Sequence, residues 1–277
     1  MRPGEPSRTA FGAAVHRAVH QELEGGRIFR DPLAWRILGL DREGVLTSAR
    51  ATERTWMRLF IAVRHRFAED GLAAAVERGT RQVVVLGAGL DTFAYRNPYD
   101  GVRVFEVDFP ATGRWKAEQL RDAGIAVPAD TVFVGCDFER DDFLDRIAAA
   151  GFDPARPAYF LWLGVVPYLS REAVVSTLAR IGTIPGAEVT FDYPAPVTGL
   201  SRRGRRLRKA FEHRVAELGE PLTQPFDPGD MAALLRSAGF TEIEDLDRAE
   251  IAPRYLGLAP DAPGGGGHVV RARVGGS

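Results

Sequence analysis

Cysteine is almost absent from this chain. One residue, Cys136, occurs in 277 positions, which excludes an intramolecular disulfide and fits a reducing compartment. Lysine is nearly as scarce: Lys116 and Lys209 are the only two, so arginine carries most of the 36 basic residues. Neither lysine stands four residues after a tyrosine, so no Tyr-x-x-x-Lys pair is present. An excess of charge is missing as well. The 36 basic residues face 37 acidic ones, for a net charge of −1, and nothing global favours nucleic acid or an anionic membrane. No apolar run approaches the ~18 residues that a membrane span needs, and the N-terminus lacks a signal-peptide core. A soluble cytoplasmic protein is expected. The length suits one α/β domain with a large core, or at most two small ones.

What is present centres on Arg81 to Arg96. Val83, Val84, Val85 and Leu86 are four apolar residues in a row, three of them β-branched. That is the pattern of a central parallel strand buried on both faces. Gly87-Ala88-Gly89 follows at once, and glycine there permits φ > 0 and close approach of a ligand. A second strand, Val102 to Asp108, delivers an acid at its carboxyl end. Strand, glycine turn and acid together make a nucleoside-binding half, with the acid placed to accept from ribose hydroxyls. A dinucleotide fingerprint wants glycine where Thr92 stands, so the ribose is legible and the rest of the ligand is not.

Before this stretch the chain reads as helical. Ser7 is placed to cap a helix carrying Phe11, Ala14, Val15, Ala18 and Val19 on one face. Asp31-Pro32 is expected to start a second, short helix, and a longer one is expected from about Ala51 to Val76. Beyond the glycine turn, strands and helices alternate. A helix over 110–123, a strand over Thr131–Val134, a helix over 141–150 and a strand over Ala158–Leu163 come first. Ser170 caps a helix over 171–181, and Ala187–Tyr193 is the next strand. Helices near 200–218 and over 229–238, the latter capped by Asp227, precede strands over Thr241–Leu246 and His268–Val274. Seven strands in a doubly wound, mainly parallel α/β sheet is the predicted architecture. Residues 1–80 form a helical cover or lid, 81–277 the core, and Pro260–Gly267 a flexible loop.

Four segments in order, Val-Val-Leu-Gly-Ala-Gly-Leu-Asp-Thr, Phe-Glu-Val-Asp-Phe-Pro, Cys-Asp-Phe and Leu-Gly-Val-Val-Pro-Tyr-Leu, closely resemble the leucine carboxyl methyltransferase-like family. These are class I methyltransferases that use S-adenosyl-L-methionine, among them bacterial O-methyltransferases of small-molecule pathways. The resemblance runs from about Thr9 to Val274 and implies a seven-stranded Rossmann-like sheet, its last strand antiparallel, under a helical cover. It implies that Gly87 and Ala88 lie beneath the methionine part of the cofactor and that Asp108 holds the ribose hydroxyls. A carboxylate suits that task because its two oxygens accept from both hydroxyls of a cis diol. Asp137 and the backbone N–H of Phe138 match the pair that reads adenine, and Arg64 matches the arginine that grips the cofactor's carboxylate, with Arg66 as the alternative. Glu106 faces the same side as Asp108; sharing the ribose and pairing with an arginine remain equal readings. Where the family often has Glu-Gly, this chain has Leu163-Gly164. The contact to the cofactor's amino group is therefore unassigned, and a small-molecule branch is favoured over the phosphatase-methylating one.

Other features are bland. His16 and His20 stand one helical turn apart with no third ligand in view, so no metal is expected. The basic run Arg202 to Lys209 reads as a solvated face or a rim for an acidic substrate. Tyr168 and Tyr193 lie just past strand ends, where open sheets bind ligands, and are candidate substrate-pocket walls. The expected activity is O-methylation of a small molecule, a carboxylate favoured over a phenol. The alternatives are a nicotinamide-dependent oxidoreductase and a non-catalytic cofactor-binding protein.

Overall fold

The computed structural model describes residues 7–50, 55–196, 221–223, 225–260 and 266–275, with residues 206, 209, 210, 213, 216 and 217 between them. Seven strands form one sheet: β1 (Gln82–Leu86), β2 (Arg103–Asp108), β3 (Thr131–Gly135), β4 (Ala158–Trp162), β5 (Glu188–Pro194), β6 (Phe240–Leu246) and β7 (Gly267–Val274). Their order is β3-β2-β1-β4-β5-β7-β6. The first five run parallel, while β7 is antiparallel to both β5 and β6. Every residue of β1 and β4 is buried, as their unbroken apolar runs predict. The chain runs outward from β1 to β2 and later from β4 to β5, so the order reverses between β1 and β4. Ligands of such sheets bind at that point, outside the carboxyl ends of the strands.

Among the described residues, three helices precede the sheet: α1 (Arg8–Leu23), α2 (Arg42–Arg50) and α3 (Thr55–Glu77). Ser7 caps α1 by accepting from the N–H of Ala10, which satisfies one of the orphan donors of a first turn. The helix expected at Asp31-Pro32 does not form; residues 32–39 are a run of turns. The Asp31 carboxylate is engaged by the Arg17 guanidinium and the Thr92 hydroxyl as well as by the N–H of Leu33. The segment's buried Ala34, Ile37 and Leu38 pack with Ala14 and Ala18 of α1. Tertiary contacts outweigh a short local propensity there. The helix over 42–50 has no counterpart in the sequence reading, although Asp41 accepts from the N–H groups of Glu43 and Gly44 at its start.

After β1 the chain makes a single 3-10 turn (Phe93–Tyr95) on its way to β2. The further helices among the described residues are α4 (Pro110–Asp122), α5 (Phe143–Ala149), α6 (Arg171–Gly182), α7 (Pro228–Ser237) and the short α8 (Arg248–Ile251), which runs into a π-helical turn. Ser170 caps α6 and Asp227 caps α7. α5, α6 and α7 cover one face of the sheet, where Phe143, Ile147, Leu178, Ile181, Met231 and Leu235 meet the strands. α3 covers the other face through Ala68, Leu72 and Ala75. The helix expected near 200–218 and the tip of the loop after Pro260 lie largely outside the described residues.

Candidate functional site

The carboxyl ends of β1, β2 and β4 open into two adjoining cavities that share Ala88 and Gly89. The first and smaller is lined by Arg64 and His65 of α3, Ala10, Ala13 and Arg17 of α1, the turn Gly87 to Asp91, and Leu163. The second and larger is lined by Glu106 and Asp108 of β2, Pro110, Arg114 and Lys116 of α4, and Phe133 of β3.

Gly87 is the pivot between them. Its φ of +67° is a conformation that L side chains rarely adopt. Its N–H and that of Ala88 both donate to the carbonyl of Val107, at 2.8 and 3.1 Å, which staples the turn to β2. Asp108 closes the same turn: its carboxylate accepts from the N–H groups of Gly89 and Phe109, each at 2.6 Å. The group lines the larger cavity.

Glu106 lines the larger cavity beside Asp108 and has a charge partner other than the arginine expected. It is 2% exposed and accepts from Lys116 Nζ at 2.8 Å and the Tyr95 hydroxyl at 2.7 Å. Burial pushes its carboxyl above the usual range, with Lys116 opposing. Its partner is thus one of the two lysines rather than an arginine.

Asp137 and Phe138 follow β3 at its carboxyl end. Asp137 accepts from the N–H of Glu139 at 3.1 Å, and its own N–H donates to Asp141 at 2.9 Å. The Phe138 ring lies 6.4 Å from that of Phe143. Neither residue lines the two cavities; they stand past Gly135, which does line the larger one.

The two arginines weighed for one role are separated by the helix. Arg66 pairs with Asp70 on the surface at 2.8 Å, whereas Arg64 is buried against the strand ends. Its Nη1 donates to Asp192 Oδ2 at 2.9 Å, and its Nε is buried without a hydrogen-bond partner among the described residues. The next residue, His65, donates or accepts at Nδ1 with the carbonyl of Ile61 and approaches Asp91 through Nε2 at 3.4 Å. Burial alone would raise the Asp91 carboxyl, but His65, Arg17 and Arg96 hold it well below the carboxylate range.

α1 is tied to the turn by charge. Arg17 donates to Asp31 at 2.5 Å and to the carbonyl of Leu90 at 2.6 Å. Asp31 also accepts from the Thr92 hydroxyl at 2.8 Å, and Arg96 extends the network to Glu69. Thr92, the residue that spoils a dinucleotide fingerprint, is thus fully buried and spent on this joint.

The two tyrosines lie apart from these cavities. Tyr168 ends a 3-10 turn after β4. Tyr193 is 1% exposed within the core, and its hydroxyl donates to Asp245 at 2.6 Å. Sequence reasoning missed the neighbour that completes this corner. Antiparallel pairing sets His268 opposite Tyr193, and His268 Nδ1 lies 2.9 Å from Asp245 Oδ1 and 3.3 Å from the Tyr193 hydroxyl. No spacing along the chain announces a contact between β6 and the start of β7. Asp192 was missed as well, because it stands in an apolar strand with no motif around it. Among the described residues, no group of three or more His, Cys, Asp or Glu is placed to hold a metal ion, and no helix is long and apolar enough to cross a membrane.

Residues 10–182 match the family model described as leucine carboxyl methyltransferase. A Frankia alni protein named as an S-adenosyl-L-methionine-dependent methyltransferase is 39% identical over 212 residues, 73% of each chain. A Bacillus subtilis protein of the same description is 30% identical over 282 aligned positions, 91% of each chain. Among solved structures, a Thermobifida fusca protein described as a methyltransferase superposes with a TM-score of 0.62 at 16% identity, covering 99% of this chain and 96% of its own. At that identity the likeness speaks for the fold.

Proposed function

The chain belongs to the leucine carboxyl methyltransferase family and is an S-adenosyl-L-methionine-dependent methyltransferase, and on that premise we propose that it methylates an oxygen of a small-molecule acceptor, a carboxylate in preference to a phenol. The residues present fit the cofactor. Gly87 and Ala88, with no more than one methyl between them, let its amino-acid part approach the backbone, and the buried Nε of Arg64 is a donor in need of an acceptor, as a cofactor carboxylate would be. Asp108, already oriented by two backbone N–H groups, accepts from the ribose hydroxyls. Asp137 and the N–H of Phe138 take the adenine edge. When bound, the cofactor supplies a methyl group on a sulfonium, a reactive donor for which alignment of the acceptor matters most.

The observation that carries the acceptor reading is Arg17. Its guanidinium, held by Asp31 and the Leu90 carbonyl, lines the same cavity as Arg64 and Gly87. A cation fixed in the cover beside the methionine end is suited to orient an anionic acceptor. A carboxylate with a pKa near ~4 is ionised at neutral pH and requires no general base, whereas a phenol near ~10 benefits from one.

One observation favours a hydroxyl acceptor as the second reading. Asp245 beside Nδ1 of His268 is the arrangement that leaves Nε2 as the basic nitrogen of a neutral imidazole. A labelled methyl donor and an accepted substrate separate the two. A methyl ester releases its label as methanol in mild alkali and an aryl ether retains it, so label that survives alkali overturns the carboxylate reading.

A further inference from the structure

The Leu163-Gly164 step leaves an open question at the methionine end, where a leucine offers no counter-charge to an ammonium group. The structure places an acid one strand over. Asp192, near the carboxyl end of β5, is 4% exposed. Its Oδ1 accepts from the N–H of Gly164, at 2.6 Å, and its Oδ2 accepts from Arg64 Nη1 at 2.9 Å. The backbone position that follows Leu163 therefore anchors this carboxylate directly. Gly164 has φ +73°, and a Cβ there would lie 2.6 Å from Arg64 Nη2. The Nη1/Nη2 edge of the guanidinium thus lies against bare backbone, is clamped at Nη1 by Asp192, and leaves Nε without a hydrogen-bond partner among the described residues.

A buried carboxylate with both oxygens engaged and a buried guanidinium with a spare donor form a neutral pair of fixed orientation. An amino-acid end is zwitterionic, and such a pair complements it: the guanidinium meets the carboxylate, and the acid balances the ammonium. Building on the cofactor placement proposed above, we infer that Asp192 takes over the task left vacant at Leu163, as the positioning residue that aims Arg64 and supplies negative charge at the amino-acid end of the cofactor. The acid has moved from the end of β4 to the end of β5, and the N–H of Gly164 is the link that lets it act at the same place. An unaimed Arg64 would be a long side chain with several rotamers to freeze on binding, and the Asp192 clamp removes that cost before the ligand arrives.

Two ligands isolate the effect. S-Adenosylhomocysteine carries the amino-acid end, whereas 5′-methylthioadenosine has the same nucleoside without it. Calorimetry on the full chain should show Asp192→Asn binding S-adenosylhomocysteine at least about tenfold more weakly while binding 5′-methylthioadenosine as the unmodified protein does. The second ligand doubles as a measure of folding, since it needs the nucleoside half intact. Should Asp192→Asn fail to fold, the double variant Arg64→Gln/Asp192→Asn removes both buried charges together. It is expected to lose no more affinity for S-adenosylhomocysteine than Arg64→Gln alone, the non-additivity of residues acting as a unit. Equal weakening of both ligands, unchanged affinity for both, or additive losses would overturn the assignment of Asp192. Failure of the unmodified protein to bind either ligand would instead overturn the cofactor placement itself.

Discussion

Val165 fills the space into which any side chain at Gly87 would project: a Cβ there would overlap Cγ2 of the valine. The segment leaving β4 thus presses on the turn leaving β1, so the two sides of the switch point are built as one surface. Gly87→Ala meets two separate obstacles, this overlap and a φ of +67°. The variant should lose about 1–3 kcal/mol of stability, together with cofactor affinity. Adding Val165→Ala removes the overlap and leaves the φ penalty, so it should recover part of the lost melting temperature. Scanning calorimetry of the three proteins checks this, and a double variant no more stable than Gly87→Ala would show that Val165 is not the obstacle.

Asp108→Ala removes the carboxylate that faces the larger cavity and leaves the N–H groups of Gly89 and Phe109 without their acceptor. Affinity for S-adenosylhomocysteine should fall by about 1.5–3 kcal/mol, roughly ten- to a hundredfold. Titration calorimetry with unchanged affinity would remove Asp108 from the ribose.

Much of this was open to reading from the chain because local chemistry and tertiary role coincide there. Val83 to Leu86 is apolar throughout because it is covered on both faces, and Ser7, Ser170 and Asp227 cap helices through contacts two or three residues away. The Asp31-Pro32 segment failed for the opposite reason: Asp31 still accepts from the Leu33 N–H, but Ala34, Ile37 and Leu38 pack against α1, and those distant contacts decide the local backbone. Glu106 was ambiguous because its partner Lys116 comes from the following helix, and a period-2 argument gives the face of a side chain without its partner. Asp192 and His268 act through strand pairing and helix packing over 128 and 23 residues of chain, separations that carry no sequence signature.

The attachment of α1 should be acid-sensitive. The Glu24 carboxyl would be raised by burial, yet His20 and Arg58 bring it from 4.5 to about 2. Asp31 is lowered too, against its burial, chiefly by Arg17 and Arg96. A carboxyl depressed in the folded state stabilises it above the unfolded pKa and loses that contribution as pH falls through the folded one. For Glu24 the window runs from about 4.5 down to about 2. Glu106, raised by burial, has the opposite sign and offsets part of the loss. Amide exchange corrected for intrinsic rates should therefore show residues 8–23 losing protection at a higher pH than β1 and β4. Simultaneous loss in all three would refute a locally detachable cover.

Removal of residues 1–20 tests whether the cover closes the site. α1 contributes Ala10, Ala13 and Arg17 to the smaller cavity, and without it that cavity opens to water beside Arg64. Closure excludes water and aligns the acceptor, so turnover should be lost while the sheet still unfolds cooperatively. A truncated protein of full activity would end this role for the cover.

His268 offers the sharpest separation of the two acceptor readings. Tyr193, its pKa pushed upward by burial and by the hydrogen bond to Asp245, stays protonated and donates to that carboxylate. Asp245 therefore accepts from the hydroxyl through Oδ2 and faces His268 Nδ1 through Oδ1, an arrangement that directs basicity to Nε2. If the acceptor is a carboxylate, no proton needs removing before methyl transfer. His268→Gln should then leave kcat and its pH profile nearly unchanged. If the acceptor is a hydroxyl, a positioned base contributes about 10²–10⁴-fold, and the same variant should lose that factor together with the rising limb of the profile. Pre-steady-state turnover of labelled methyl from pH 5 to 9 in both proteins decides between them. A loss of kcat without any change in the profile would show that His268 merely supports the corner formed by Tyr193 and Asp245.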